Sequence, residues 1–350
     1  MIAVPLAVLM ATSGFTLQSG QSQAGESQHL PAWQLSTTGS AARLRGLAPV
    51  SARVAWASGS GGTVLLTVDG GHSWSSVGPP GTADLQYRDI EAFDARHAVI
   101  LSIGEADQSR VYVTGDGGST WTETFVNDDP AAFYDCMAFF DPRHGLAMSD
   151  PVGGFFRILS TSDGGRSWVV LPTDRMPPAL DGEFGFAASG TCLTAVPGTQ
   201  AWFASGGGGA RVFHTTDRGR SWSVAQTPVP SGPSAGIYSL AFRPSGQGIA
   251  VGGDFAVPTA APDGAAVSAD AGRSWSAAAT APGEYRSGSA WLPGTRSTAI
   301  AVGPTGSDIS YDGGRNWLRF DTGSFDAVAC APDGACWASG ETGRVAVLQS

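Results

Sequence analysis

The sequence predicts an all-β fold, a seven-bladed β-propeller of four-stranded antiparallel blades, on three observations. One phrase of the form Ser/Thr-x-Asp-x-Gly-x-x-Trp recurs six times. Successive copies start 42 to 54 residues apart, which is the length of a four-stranded blade. The 350 residues include 49 Gly and 22 Pro, a composition typical of a fold with many tight turns.

Each copy of the phrase is predicted to be the turn between the third strand and the outer strand of a blade. The Asp carboxylate can accept hydrogen bonds from backbone N–H groups of the turn, the Gly can adopt positive φ, and the Trp can bury its ring beside the hairpin. Six equivalent copies argue against catalysis, because an active site needs one constellation. The predicted structural residues are Asp69, Trp74, Asp116, Trp121, Asp163, Trp168, Asp217, Trp222, Asp270, Trp275, Asp312 and Trp317.

A seventh repeat, ACWASGETGRVAVLQS, ends the chain before its own turn and therefore lacks an outer strand. The segment PAWQLSTT near the N-terminus places Trp33 where the other blades carry their turn Trp. We therefore expect residues 30–39 to pair with the blade formed by residues 325–350 and to close the ring. Residues 29–350 are predicted to form this single propeller.

The first residues, MIAVPLAVLMATSG, form an apolar run that is too short to cross a bilayer. A stretch rich in Ser, Gln and Gly follows, and residues 1–28 are therefore predicted to be a signal peptide or leader with a linker, which indicates export. The net charge is −10, and all 20 basic residues are Arg. This balance argues against a nucleic-acid partner, and we expect a monomer without a membrane span.

The phase of the repeats sorts the connections onto two faces of the ring. The six turns share one face, while the second-to-third strand loops and the blade-to-blade connections share the other. These latter connections are longer and more individual, for example GPPGTADLQYRD and TDRMPPALDGEFGFAASGT. Variable loops on a rigid scaffold are a common place for binding, so the function is expected on this second face.

Polar residues of several blades are predicted to converge at the mouth of the channel on that face. Aligning RDIEAF with YDCMAFF places Asp89 over Asp135, with Asp326 at the corresponding position of the last blade. Asp135, Asp150 and Glu183 are candidate catalytic carboxylates. The alternative interpretation of any single one of them is that it belongs to a solvated rim of capping residues. The ligand-binding candidates are Arg88, Asp89, Glu105, Tyr134, Asp135, Asp150, Glu183, Asp254, Tyr285, Arg286 and Asp326.

The four cysteines permit disulfides without requiring them. Cys330 and Cys336 flank the turn APDGA, so a bridge between two adjacent strands is predicted there. Cys136 and Cys192 occupy equivalent positions on inner strands. The sequence is consistent with either a disulfide between them or two buried free thiols. The five His form no ligand cluster, and no dinucleotide or haem motif is present, so neither a metal nor a cofactor is predicted.

The phrase and its spacing resemble the Asp-box (BNR) repeats of a large group of propellers that includes sialidases, sortilin-like receptors and the photosystem II stability and assembly factor. The segments RDIEAFDARHAVILSIGE and GEFGFAASGTC are similar to non-photosynthetic bacterial relatives of that factor. The resemblance implies an exported module that binds a protein or a glycan and assists the assembly of an envelope protein. The alternative it leaves open is a glycoside hydrolase that uses a carboxylate pair.

Overall fold

The computed structural model describes residues 1–3 and 30–349. The predicted leader, residues 1–28, lies outside the described residues except for Met1–Ala3. The compact unit Pro31–Ser350 carries all the described strands, and they form seven antiparallel sheets. The predicted seven-bladed propeller is therefore confirmed. The described residues contain no helix that is long and apolar enough to span a membrane.

Strands are numbered in chain order, and each blade begins with its innermost strand. Blades 1 to 3 comprise β2 (Leu44–Pro49), β3 (Ala55–Gly59), β4 (Val64–Thr67) and β5 (Ser75–Ser76); β6 (Gln86–Ala92), β7 (Ala98–Ile103), β8 (Arg110–Thr114) and β9 (Thr122–Val126); and β10 (Tyr134–Asp141), β11 (His144–Val152), β12 (Phe155–Thr161) and β13 (Val169–Val170). Two single-turn 3-10 helices lie at Ala106–Gln108 and Glu341–Gly343.

The remaining blades follow the same plan, with one addition. Blades 4 to 6 comprise β15 (Leu193–Ala195), β16 (Ala201–Ala204), β18 (Arg211–Thr215) and β19 (Ser223–Gln226); β20 (Ala235–Phe242), β21 (Gly248–Asp254), β22 (Ala265–Ser268) and β23 (Ser276–Ala277); and β24 (Gly288–Trp291), β25 (Ala299–Gly303), β26 (Gly306–Ser310) and β27 (Leu318–Asp321). The addition is a pair of two-residue strands, β14 (Glu183–Phe184) and β17 (Gly206–Gly207), which extend the inner edge of blade 5.

Blade 7 closes the ring as the sequence predicts. Its first three strands are β28 (Ala327–Cys330), β29 (Cys336–Ser339) and β30 (Val345–Gln349). The outer strand is the N-terminal β1 (Ala32–Ser36), which pairs antiparallel with β30 from Ala32 opposite Gln349 to Ser36 opposite Val345. Each inner strand contacts the next one around the ring, and β28 contacts β2.

The six repeated turns share one hydrogen-bonding pattern. In each turn the Asp Oδ1 accepts the backbone N–H of the residue four positions later, at 2.8 to 3.0 Å. The Ser or Thr hydroxyl accepts the N–H of the Gly that recurs in every copy of the phrase, and the φ of this Gly lies between +78° and +86°. The Trp rings pack between blades, as where Trp74 meets Trp337 with ring centroids 6.1 Å apart.

These turns and the first-to-second strand turns lie on what we call the box face, and the remaining connections lie on the loop face. One blade-to-blade connection behaves differently from the others. Residues 185–190, here called the channel segment, turn inward and touch inner strands of several blades. The Gly185 N–H donates to Asp150 Oδ1 at 2.7 Å, and Arg88 Nη1 donates to the Ala187 carbonyl at 2.6 Å. Ser189 Oγ donates to the Ser287 carbonyl at 2.6 Å.

Candidate binding site

A cavity of about 660 Å³ opens on the loop face at the centre of the ring. Residues 185–188 of the channel segment form part of its wall, and residues 189–191 line a second cavity of about 280 Å³ on the other side. The wall of the loop-face cavity combines aromatic rings, three arginines and three carboxylates, which are Phe133, Phe184, Phe186, Tyr238, Phe255, Tyr285, Arg43, Arg45, Arg88, Asp135, Asp150 and Asp326.

Four of these residues reach the cavity through the same local device, a β-bulge in an inner strand. Neighbouring residues pair across the sheet, but one residue between them is left out of the register. A bulge bends the strand and redirects the side chain of the extra residue. The extra residues are Arg45 in β2, Arg88 in β6, Asp135 in β10 and Tyr238 in β20.

The bulges correct the alignment made from the sequence. Asp89 follows the bulge of β6 and pairs with Leu101, just as Cys136 follows the bulge of β10 and pairs with Met148. Asp89 therefore corresponds to Cys136, and Arg88 corresponds to Asp135. For this reason Asp89 lines the second cavity, where its Oδ2 accepts the Met137 N–H at 2.6 Å, while Asp135 lines the loop-face cavity.

Aromatic rings form one side of the loop-face cavity. Phe186 of the channel segment stacks on Tyr238 with centroids 4.0 Å apart, and Tyr238 meets Tyr285 edge to face at 4.7 Å. Phe255, in the loop that follows β21, is 54% exposed. Packed rings of this kind offer a rigid apolar surface that loses little entropy when a ligand binds.

Arginines occupy another part of the wall. Arg43 makes a two-pronged ion pair with Asp326, with Nε to Oδ2 at 2.8 Å and Nη2 to Oδ1 at 2.6 Å. Arg45 lies 3.7 Å from the same carboxylate, and burial lowers its pKa. Arg88 and Asp326 were predicted from the sequence, whereas Arg43 and Arg45 were not. Their signal was the position of the ARLRGL segment at the start of an inner strand.

Asp135 and Asp150 form a close carboxyl pair. Asp135 is 2% exposed, and its Oδ2 has no hydrogen-bond partner among the described residues. Burial and the neighbouring charge of Asp150 raise the pKa of Asp135 well above its usual value. Asp150 sits at a bulge of β11, and burial raises its pKa to about 6. The pair therefore holds fewer negative charges at neutral pH than two free aspartates would.

Two buried candidates from the sequence are held in ion pairs away from this cavity. Glu183 accepts hydrogen bonds from Arg211 Nε at 2.8 Å and from Ser205 Oγ at 2.5 Å. Arg286 is fully buried, and its Nε donates to Asp308 Oδ2 at 2.6 Å. Both side chains are engaged in joining strands, so we leave them out of the candidate site.

Three further candidates lie in other surroundings. Tyr134 is buried in the core, where its hydroxyl accepts a 3.2 Å hydrogen bond from Arg157 Nε. Glu105 is exposed in the loop between β7 and β8. Asp254 accepts the Ala256 N–H at 2.8 Å within its own loop. None of the three lines the loop-face cavity.

Both cysteine pairs are bridged. Cys330 joins Cys336 across adjacent strands, which is the pairing expected from the sequence. Cys136 also forms a disulfide with Cys192, which is one of the two alternatives that the sequence left open. Since Cys192 lies two residues beyond the channel segment and Cys136 follows Asp135, this bridge fastens one end of the segment to β10, the strand that carries Asp135. The described residues contain no group of three or more His, Cys, Asp or Glu side chains placed to hold a metal ion.

Together the fold and the cavity define a class, a seven-bladed propeller with a ligand-sized cavity at the centre of its loop face. No protein-family model matches the chain, and no curated protein matches it. Solved structures do resemble it. YCF48 bound to a D1 peptide has a TM-score of 0.64 at 15% identity, covering 93% of this chain and 99% of that one.

Two other structures extend this comparison. YCF48 from Cyanidioschyzon merolae has a TM-score of 0.63 at 15% identity and covers 91% of this chain and 99% of its own. The WD40 repeats of RRP9 have a TM-score of 0.62 at 13% identity, with 91% and 98% coverage. At identities this low, the TM-scores show that these proteins share the propeller fold, and they show no more than that.

Proposed function

We propose that this chain is an exported Asp-box propeller that binds a segment of a partner protein in the loop-face cavity and assists the assembly or stability of an envelope protein. The observation that carries the proposal is the cavity itself, about 660 Å³ in volume, with rigid aromatic rings on one side and charged groups on another. Sites that combine an apolar anchor surface with a few placed polar groups are typical of ligand recognition.

Two further observations support a peptide ligand. A structurally similar propeller, YCF48, has been solved with a D1 peptide bound. In the present chain Phe255 projects from the rim and is 54% exposed, which gives a partner an apolar contact without any rearrangement of the core.

The proposal of export rests on the predicted leader, and identifying the N-terminal residue of the mature protein by mass spectrometry tests it. We propose that the protein is a monomer.

The experiment is a selection of short random peptides displayed on phage, followed by calorimetry with the synthesised winners. We expect peptides that bind the wild type and lose about tenfold in affinity with Phe255→Ala, because truncating an anchor ring removes its buried contact area. Tyr311→Ala is the matched control, since Tyr311 is a 38% exposed aromatic residue on the box face. Peptides that bind both variants equally well would place recognition outside the cavity and contradict the proposal.

A second candidate function is glycoside hydrolysis, and the Asp135–Asp150 pair is the observation that favours it. Many glycosidases use one carboxylic acid that keeps its proton and one carboxylate. The raised pKa of Asp135 and the pKa of about 6 for Asp150 match this division of roles. A screen of glycan substrates tests it, and this function requires turnover that Asp135→Asn and Asp150→Asn both abolish.

A further inference from the structure

Besides Asp135, four carboxylates are buried in the described part of the chain; three of them have arginine partners, while Asp89 accepts the Met137 N–H instead. Glu183 pairs with Arg211, Asp308 with Arg286, and Asp326 with Arg43. A buried carboxylate is costly unless a positive charge or several hydrogen bonds compensate it, and these three follow that rule. In each case the compensation comes from the chain itself.

Asp135 and Asp150 also lack an arginine partner but, unlike Asp89, they line the loop-face cavity. No ion pair joins either carboxylate to an Arg or His within the described part of the chain, although three arginines line the same cavity. Arg88, which occupies the position equivalent to Asp135 in the neighbouring blade, donates its Nη1 to the Ala187 carbonyl instead. Asp150 accepts one backbone hydrogen bond, from Gly185, and the backbone of Ala187 donates to Asp135, whose Oδ2 is left without a partner among the described residues.

This carboxyl pair lines a cavity that aromatic rings also border. Asp135 and Asp150 line the loop-face cavity together with Phe133, Phe184 and Phe186. Aromatic faces attract cations, and a carboxylate with a free oxygen accepts strong hydrogen bonds from an N–H that carries positive charge. A positively charged group from outside the chain would supply the ion pair that the described residues do not give these carboxylates.

We propose that the Asp135–Asp150 pair is the subsite for a cationic group of the ligand, an ammonium or a guanidinium such as a Lys or Arg side chain carries. The inference rests on the proposed function, because it assigns the chemistry of one position within the ligand cavity. It implies that a partner segment places a basic side chain over the pair and an apolar side chain against the rings.

The test uses three small probes that share a phenyl ring and differ in their head group. These are 2-phenylethylamine, 2-phenylethanol and 3-phenylpropanoate, titrated into the full-length wild type at pH 8 and followed by ligand-detected NMR. We expect the amine to bind at least about tenfold more tightly than the alcohol, because it gains a charge-assisted hydrogen bond. The carboxylate probe should be the weakest of the three at this subsite.

Two variants locate the effect. Asp135→Asn and Asp150→Asn should each bring the amine and the alcohol to within about threefold of each other, since each removes a carboxylate from the pair. Asp84→Asn is the matched control, because Asp84 is an exposed carboxylate of a blade-to-blade connection on the loop face. It should keep the full preference for the amine. Retained binding of the alcohol shows that each variant is folded at the cavity.

The inference is overturned if the alcohol or the carboxylate binds as well as the amine, if no probe binds, or if the Asn variants keep the preference for the amine. These results are separable from the peptide selection. Peptides that depend on Phe255 combined with probes that show no preference for the amine contradict this inference and leave the proposed function intact. Preferential binding of the amine without any selected peptide would support the cationic subsite and contradict the proposed binding of a partner peptide.

Discussion

Asp270 and Asp150 are the same residue type in opposite environments. The hydroxyl and N–H of Ser274 donate to Asp270 and lower its pKa to about 2, so this turn carboxylate is ionised at all ordinary pH values. Burial raises the pKa of Asp150 to about 6. The sequence pattern identified the first environment, because the donors lie within four residues. The second environment arises from residues that are distant in the chain.

Glu91 is another acidic residue whose pKa is raised by burial. It lines the second cavity, and burial raises its pKa from 4.5 to about 8. Between these values the folded protein keeps a proton that the unfolded chain has lost. The free energy of unfolding should therefore fall as pH rises from about 4.5 to about 8. Glu91→Gln should remove this part of the fall, up to about 5 kcal/mol, because each pKa unit corresponds to ~1.4 kcal/mol.

Urea unfolding of the wild type and Glu91→Gln at pH 5, 7 and 9 measures the effect. The variant should gain stability relative to the wild type as pH increases. The exposed Glu105→Gln is the control and should follow the wild type at every pH. Parallel curves for wild type and Glu91→Gln would show that the proton of Glu91 does not contribute.

The channel segment is the element that the sequence described least well. The long connection TDRMPPALDGEFGFAASGT was expected on the loop face, but residues 185–190 turn into the channel. Small residues make this path possible. A Cβ on Gly185 would lie 2.8 Å from Asp135 Oδ2, and one on Gly190 would lie 2.4 Å from Asp89 Oδ1. Hydrophobic periodicity carries no information about such close approaches, since the segment has no regular strand of its own.

Gly190→Ala and Gly182→Ala test this element as a pair. Both glycines have positive φ, +77° and +69°, so an Ala strains the backbone at either position. A Cβ at Gly182 meets no atom within 4 Å, whereas at Gly190 it meets the Asp89 carboxylate. Gly190→Ala should therefore be less stable than Gly182→Ala by about 1–3 kcal/mol in urea unfolding. Equal losses would mean that the channel segment moves aside freely.

Closure of the ring depends on strand β1. Besides its pairing with β30, strand β1 contributes Trp33, whose Nε1 donates to Ser307 Oγ of blade 6 at 2.9 Å. The same ring packs against Phe325 with centroids 5.3 Å apart. One short strand therefore holds the edge of blade 7 and its contact with blade 6, and it does so from the opposite end of the chain.

We predict that removal of β1 destabilises the protein. A chain that starts at Thr37 should lose at least about 3 kcal/mol of stability, because it lacks the Trp33 contacts and leaves the edge of β30 unpaired. The exposed edge should also promote association. A chain that starts at Pro31 is the control. Thermal unfolding and light scattering compare the two, and a stable monomer without β1 would contradict this role of the N-terminal strand.

The number of blades, the position of the hairpin turns and the closing strand could all be predicted from the sequence. Each of these depends on contacts within a repeat or on an incomplete repeat, and both are legible as spacing. The sequence also selected Arg88, Asp135 and Asp150, which the structure brings to one cavity.

The way in which that cavity is built could not be predicted from the sequence, because it depends on long-range contacts and on strand register. The bulges shift the alignment by one residue, so that Arg88 and Asp135 share a position and Asp89 faces the other way. Arg43, Arg45 and the channel segment join the site through contacts between residues that are far apart in sequence. A bulge is one extra residue in a strand, and it changes the direction of a side chain without changing the hydrophobic pattern by which strands are recognised.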